Sequence, residues 1–144
     1  MIEKMNANAP PALVTLGGRV ASFDEDTGVV EMHFSAAPSL CHSGDIVQGG
    51  FLAGMLDAAM AHAVFGVLRA FVVVATLEIK VSYLDRAHAG PLVARGRVNR
   101  MGKTISFLEA ELYTTDGALL CKASSTARII HRDPGSHKST GQST

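Results

Sequence analysis

Residues Gly49–Leu68, GGFLAGMLDAAMAHAVFGVL, decide the fold of this chain. The stretch has no run of β-branched residues and is rich in Ala, Leu and Met, which favours an α-helix. Asp57 and His62 interrupt its apolar residues, and Gly54 and Gly66 loosen it. We therefore expect a helix from Gly49 or Gly50 to about Leu68 that is buried in a soluble domain and is not a membrane span.

Placing these residues at intervals of about 100° separates two helix faces. One face carries the larger apolar side chains and is predicted to pack on a sheet: Phe51, Leu52, Met55, Leu56, Ala59, Ala63 and Val67. Asp57 lies on the opposite face, where its neighbours are small: Gly50, Ala53, Gly54, Ala61 and Val64. This arrangement indicates that another subunit or a ligand approaches Asp57 closely.

Asp57 is the only acidic residue of the helix. Burying a carboxylate without a partner is costly, and no second polar residue makes its face a hydrated one. A solvated acid, or one bonded to a neighbouring hydroxyl, is the simple structural interpretation. The isolation of Asp57 among small residues favours a functional carboxylate.

Strand-like segments surround the helix, and turn signals separate them. We expect strands within residues 13–24 and 29–34 before it, a loop over 35–47, and strands at 71–84, 91–101, 103–115 and 118–130 after it. The short turns at Gly90, Gly102 and Gly117 predict antiparallel neighbours. One long helix and such a sheet bury each other best if the sheet wraps the helix, which predicts an α+β hot-dog fold.

The 144 residues suffice for one domain, expected over residues 12–130, with a loose lead-in at 1–11 and a polar, disordered tail at 131–144. Thirteen basic residues balance thirteen acidic ones, so charge gives no reason to expect nucleic acid and does not oppose self-association. Two cysteines fit neither a disulfide framework nor a metal motif, and the N-terminus does not resemble a signal peptide. We expect a cytoplasmic protein without a cofactor and without a membrane partner, and its charge balance is compatible with a homo-oligomer.

Gln48, Gly49 and Gly50 stand at the start of the helix, where unpaired backbone N–H groups lie beside the positive end of the helix dipole. Such groups can hold a thioester carbonyl and the oxyanion formed from it, although a Gly-Gly pair is often only a turn. Eight residues separate Gly49 from Asp57, a rise of roughly 12 Å. If both serve one carbonyl, Gly49 of one subunit must face Asp57 of an antiparallel neighbour.

The run DIVQGGFLAGMLDAAM, residues 45–60, resembles the helix entry of the phenylacetate-pathway (PaaI-like) hot-dog thioesterases. That family has His-Gly-Gly or Gln-Gly-Gly with an Asp nine residues after the His or Gln, and Gln48 and Asp57 keep this spacing. Downstream, Thr76, the pair Tyr83-Leu84 and the turn Gly102-Lys103 occupy further family positions. The resemblance extends over residues 13–130.

The resemblance implies an acyl-CoA thioesterase that forms a dimer of dimers with sites at each dimer interface. The N–H of Gly49 would polarise the thioester carbonyl, and Asp57 of the opposite subunit would act as general base or nucleophile. Thr76 would position the water or the carboxylate, and Gln48 would hydrogen-bond near the thioester. A non-catalytic acyl-CoA-binding module is the alternative, although it would not need Asp57.

Substrate contacts are also expected outside these four positions. Gly50 lies at the helix start, and CoA would run along the surface near Arg100 and Lys103. The acyl group would contact Phe51, Met55 and the region 65–71. His42 stands where the family has Asn, so it either contributes to the site or is a loop histidine without function. His62 is expected to be a packed histidine.

Overall fold

The central helix is enclosed by an antiparallel sheet in the computed structural model, which describes residues 1–132. The prediction of a disordered tail over residues 131–144 concerns, from residue 133 onward, residues outside the described part of the chain. The elements are α1 (Ile2–Ala7), α2 (Pro11–Thr15), β1 (Gly18–Asp24), β2 (Val29–Ala36), a 3-10 turn (Pro38–Leu40), β3 (Cys41–Ser43), β4 (Ile46–Val47), α3 (Gly49–Leu68), β5 (Val73–Tyr83), β6 (Gly90–Met101), β7 (Ile105–Tyr113) and β8 (Leu119–Ile130).

The main sheet has six strands in the order β1-β2-β6-β7-β8-β5, and every neighbouring pair is antiparallel. The predicted α+β hot-dog fold, with one long helix against this sheet, is confirmed. The expectation that the strand before Gly90 pairs with the strand after it is wrong, because β5 pairs with β8 at the sheet edge. Leu84 and Asp85 still bond to β8 through Leu120 O, and residues 87–89 are bonded to the β3–β4 region, where Val47 N–H donates to Ala87 O and Ala89 N–H donates to Asp45 O.

α3 is buried on more sides than its predicted faces imply. Phe51 and Val67, assigned to the buried face, are 36% and 43% exposed, whereas Val64 is fully buried. The helix is apolar nearly all round, so a second layer can cover it. That layer is the N-terminal segment, since a Cβ on Gly54 would lie 3.4 Å from the Leu16 side chain. α3 is long and apolar enough to cross a membrane by length and composition, but half of it is buried within the domain.

The N-terminal segment is ordered, which corrects the expectation of a loose lead-in. Met5 of α1 is buried in the core. The Asn6 amide donates to Val20 O at 3.0 Å and accepts from Val20 N–H at 2.8 Å, so α1 is tied to β1. Residues 13–16 belong to α2 and its end and not to a strand, because Pro11 suits a first helical turn.

Gly96 of β6 sets how closely the sheet approaches α3. A Cβ at this position would collide with the carbonyl oxygen of Ala59 and would lie 2.6 Å from its carbonyl carbon. Backbone therefore packs directly on backbone at the middle of the helix. Only glycine allows this contact without moving the strand.

We expect Gly96→Ala to lower the free energy of unfolding by about 2 kcal/mol or more, because the added methyl group meets helix backbone that cannot give way. Gly50→Ala is the matched control, since no atom lies within 4 Å of a Cβ at that helical position. Urea denaturation at one protein concentration measures both variants. Equal stability of Gly96→Ala and the native protein would contradict the close approach.

Candidate functional site

Asp57 and Thr76 meet where the middle of α3 passes β5. The Thr76 hydroxyl donates a hydrogen bond to Asp57 Oδ1 at 2.8 Å. Asp57 is half-buried, and none of residues 1–132 donates to its second carboxylate oxygen. The carboxylate is therefore held in one orientation by the hydroxyl, while its other oxygen is free for a substrate or a water molecule.

A β-bulge in β5 gives Thr76 this orientation. Thr76 pairs with Ala127 and Glu78 pairs with Thr126, so Leu77 is an extra residue in the strand. Thr76 consequently faces α3, whereas Glu78 lies on the outer face of the sheet and accepts a hydrogen bond from Thr126 Oγ1 at 3.1 Å. Counting every second residue places Thr76 and Glu78 on one face, and the bulge shows that this interpretation is wrong.

The start of α3 presents unpaired donors, as the sequence predicts. Gln48 is the N-cap residue and makes no side-chain capping bond. The N–H groups of Phe51 and Leu52 both donate to Gln48 O, at 3.0 and 3.4 Å. For the N–H groups of Gly49 and Gly50, no acceptor exists among the described residues. Two adjacent donors therefore remain at the positive end of the helix dipole.

Tyr83 packs on Gly49 and fixes this first turn. Its hydroxyl donates to Gly49 O at 2.6 Å, and a Cβ on Gly49 would lie 3.1 Å from the tyrosine ring. Burial raises the pKa of Tyr83, and the nearby Cys121 raises it further. The sequence identified Tyr83 only as a family marker, and nothing in the strand pattern indicated that its hydroxyl reaches the helix start.

A groove of about 320 Å³ runs beside the start of α3. His42, Gly49, Tyr83 and Arg86 are among the residues that line it. The imidazole Nδ1 of His42 lies 2.8 Å from Ser43 Oγ, and both residues are exposed. The structure thus brings His42 and Gly49 together. Arg86 was missed, because a single arginine in a loop carries no signal in the sequence.

Asp57 and Thr76 do not line this groove. Tyr83 contacts α3 at Gly49, and Thr76 contacts it at Asp57, a separation of about 12 Å along the helix. One chain therefore carries two separate clusters of functional groups, which are the carboxylate–hydroxyl pair and the donors at the helix start.

The other predicted substrate contacts differ in accessibility. Gly50 is exposed, but Met55 is fully buried and has no surface that a ligand can reach directly. Arg100 and Lys103 are exposed at the β6–β7 hairpin. Arg100 pairs with Phe107, which pairs with Thr126, so Arg100 lies on the outer face of the sheet, away from α3.

Within residues 1–132, no group of three or more His, Cys, Asp or Glu side chains is arranged to hold a metal ion. Cys41 and Cys121 are both free thiols, and burial raises the pKa of Cys121 to about 11. This high pKa disfavours the thiolate, so Cys121 is not suited to act as a nucleophile at neutral pH.

Comparison with known proteins finds similarity to one protein family and to individual proteins of related type. The family model described as Thioesterase superfamily matches residues 44–121. An esterase-named protein of Saccharolobus solfataricus is 28% identical over 85% of both chains. Among solved structures, a phenylacetic acid degradation-related protein of Ralstonia eutropha JMP134 is 30% identical, with a TM-score of 0.78 over 89% of this chain and 98% of that one.

A second solved structure shows the same fold at lower identity. It is a thioesterase protein of Streptococcus pneumoniae TIGR4 that was solved with coenzyme A. It is 17% identical, and its TM-score is 0.74 over 92% of this chain and 100% of that one. The predicted resemblance to PaaI-like proteins is confirmed by the family match and by the relative from R. eutropha.

The packing of Tyr83 on Gly49 predicts a distinct alkaline titration. The raised pKa means that the folded protein prefers the protonated phenol. Its contribution to stability is present below the ordinary tyrosine pKa of about 10 and is lost as the pH rises through the raised value. The chain has two tyrosines, so tyrosinate absorbance should lose its late transition in Tyr83→Phe and keep it in the control Tyr113→Phe. Loss of the late transition in the control would refute the assignment.

Proposed function

Because the chain belongs to the thioesterase superfamily, we propose that it hydrolyses acyl-CoA thioesters at sites that two subunits build together. The chain is a thioester hydrolase, as its sequence predicts. Coenzyme A as the leaving group is supported by the S. pneumoniae thioesterase protein, which shares this fold and was solved with coenzyme A. The observation that carries the proposal is the hydrogen bond from Thr76 to Asp57, which orients a carboxylate and leaves one of its oxygens free.

Asp57 has two possible roles with the same geometry. As a general base, its free oxygen takes a proton from water while the water oxygen attacks the thioester carbon, and the C–S bond then breaks so that CoA leaves as the thiolate. As a nucleophile, that oxygen attacks the carbon itself, CoA leaves as the thiolate, and water then hydrolyses the anhydride. In both cases negative charge develops on the carbonyl oxygen, and the free N–H groups of Gly49 and Gly50 are suited to stabilise it.

The two-subunit site is supported by the separation of these groups and by the edge of the sheet. A donor to the carbonyl oxygen must lie within a few ångströms of the attacking group, and about 12 Å of helix separates Gly49 from Asp57. β5 is an edge strand and exposes apolar side chains, including Leu77 at 59%. Such an edge invites a second copy to pair with it. In this arrangement, α3 of the neighbour runs antiparallel and brings its Gly49 to Asp57.

The remaining residues have roles around the thioester. The side-chain amide of Gln48 makes no capping bond at the helix start and is suited to hydrogen-bond near the carbonyl. His42 and Arg86 lie in the groove beside it, where Arg86 supplies positive charge. Arg100 and Lys103 offer positive charge to the CoA phosphates along the surface. Pairing of two dimers into a tetramer is part of this proposal.

We predict that Asp57→Asn lowers kcat by at least about 100-fold, because the amide can neither accept the proton nor attack the carbonyl. Hydrolysis of phenylacetyl-, hydroxybenzoyl-, hexanoyl- and palmitoyl-CoA, followed by thiol release, measures the effect. The control is Asp26→Asn, which changes an exposed acid in the β1–β2 turn. Native turnover by Asp57→Asn would disprove the catalytic role of Asp57.

Thr76→Val should lose about 10-fold in kcat and Thr76→Ser much less, since serine keeps the hydroxyl that donates to Asp57.

We predict recovery of activity when inactive Asp57→Ala chains and inactive Gly49→Val chains are unfolded together and refolded. Each mixed dimer regains one intact site, formed by Asp57 of one chain and Gly49 of the other. Random pairing makes half of the dimers mixed, so about one quarter of the native activity should return if sites are joint. Asp57→Ala mixed with Asp57→Asn is the control and should recover nothing. If mixed dimers form but no activity returns, Asp57 of one chain and Gly49 of the other do not build a shared site.

A further inference from the structure

Tyr83 makes a hydrogen bond to the first turn of α3 that the proposed mechanism does not use. Its hydroxyl donates to Gly49 O at 2.6 Å, within the ordinary range of an O–H···O hydrogen bond. A carbonyl oxygen inside a helix ordinarily accepts only the N–H four residues later. It has two lone pairs, so the tyrosine adds a second donor without displacing the helical bond. A side chain of the edge strand β5 therefore acts directly on the helix backbone.

The carbonyl that Tyr83 contacts shares a peptide unit with one of the two free donors. The C=O of Gly49 and the N–H of Gly50 lie in one peptide plane and point in opposite directions. A hydrogen bond to the oxygen makes the N–H of the same unit a stronger donor, because linked hydrogen bonds polarise one another. The Gly50 N–H has no acceptor among the described residues. The effect of Tyr83 is therefore passed to whatever group docks at the helix start.

The other free donor is polarised by the backbone. The N–H of Gly49 belongs to the peptide unit whose oxygen is Gln48 O, and that oxygen accepts from the N–H groups of Phe51 and Leu52. Both free donors thus belong to peptide units whose carbonyl oxygen is engaged. Within residues 1–132, a side chain engages only the unit of Gly50. That contribution can be removed by one substitution.

The ring of Tyr83 also fixes the position of the first turn. A Cβ on Gly49 would lie 3.1 Å from the ring and 3.2 Å from the hydroxyl oxygen, so the ring packs against the glycine backbone. The same strand positions Asp57 through Thr76. β5 therefore holds the helix start as well as the carboxylate.

We propose that Tyr83 is a positioning residue for thioester hydrolysis, whose hydroxyl polarises the Gly49–Gly50 peptide unit so that the Gly50 N–H stabilises the oxyanion more strongly. The inference rests on the proposed function, because the oxyanion forms only where a thioester carbonyl docks at the helix start. A phenolate cannot donate a hydrogen bond. The effect therefore requires protonated Tyr83 and is lost as the pH rises through its raised pKa.

Other titratable and charged side chains face Tyr83. Cys121 is its partner on β8, and burial raises the pKa of this thiol to about 11. His42, Asp85 and Arg86 line the groove together with the tyrosine. Of these side-chain types, only a thiol ordinarily titrates close to a phenol. Tyr83 must therefore be distinguished experimentally from Cys121.

Hydrolysis of the acyl-CoA panel by the full-length protein, from neutral to alkaline pH, measures the catalytic effect. Tyr83→Phe keeps the ring and removes only the hydroxyl. Its kcat should fall roughly 3- to 10-fold, less than the at least about 100-fold for loss of a whole oxyanion donor. KM should stay near the native value, because the interaction strengthens only in the transition state.

The pH profile distinguishes the hydroxyl from a purely structural role. Native kcat should fall at alkaline pH, and Tyr83→Phe should lack this fall. The control is Tyr113→Phe, which changes a ring that packs under Arg95 on the outer face of the sheet and should keep both the native kcat and the alkaline fall. An alkaline fall that persists in Tyr83→Phe belongs to another group, such as Cys121, and overturns the proposal.

The nitrogen resonance of Gly50 reports the polarisation without any substrate. In protein containing 15N-labelled glycine, the resonance that Gly50→Ala removes identifies this residue. It should move upfield in Tyr83→Phe, because a hydrogen bond to a carbonyl deshields the nitrogen of the same peptide unit, and stay in place in Tyr113→Phe. In the native protein it should titrate with the midpoint of kcat.

An unchanged Gly50 resonance in Tyr83→Phe, or a native kcat in that variant, overturns the proposal. Failure of the proposed function gives a different result. Asp57→Asn would then keep native turnover, or the native protein would hydrolyse no acyl-CoA, while the Gly50 resonance would still respond to Tyr83.

Discussion

The enclosure of α3 is the constraint on which the other features depend. The helix is apolar on nearly every side, so it is stable only where other elements cover it. Gly96 lets β6 reach the helix backbone at Ala59, and the N-terminal segment covers the helix at Gly54. The sheet ends at β5, and Asp57 lies beside that edge. It can therefore stay half-buried in a helix that would otherwise be too apolar to carry an acid.

β5 organises both halves of the candidate site. Thr76 and Tyr83 both reach α3, one at Asp57 and the other at the helix start. Seven residues separate them, so a regular strand would place them on opposite faces of the sheet. The bulge at Leu77 removes this conflict, because it shifts the alternation by one residue between them. A single irregularity thus allows one strand to position two functional groups on the same side.

Much of this arrangement could be predicted from the sequence, and the failures have identifiable causes. The bounds of α3 and the existence of the later strands followed from composition and turn residues, which are local properties. The pairing of β5 with β8 could not be predicted, because it joins segments far apart in the chain. The bulge has no glycine to mark it. Asp57 was identified because a lone acid contrasts with its neighbours, whereas Tyr83 and Arg86 resemble ordinary strand and loop residues.

The strand order also determines when each part of the chain can fold. β2 pairs with β6, so Val30 has its partner Gly96 only after the whole of α3 has been synthesised. β5 must wait still longer, because its partner β8 is the last strand within the described residues 1–132. Contacts between such distant segments slow folding. During that interval β5 is a nascent strand with apolar residues and no partner, which makes it prone to aggregate.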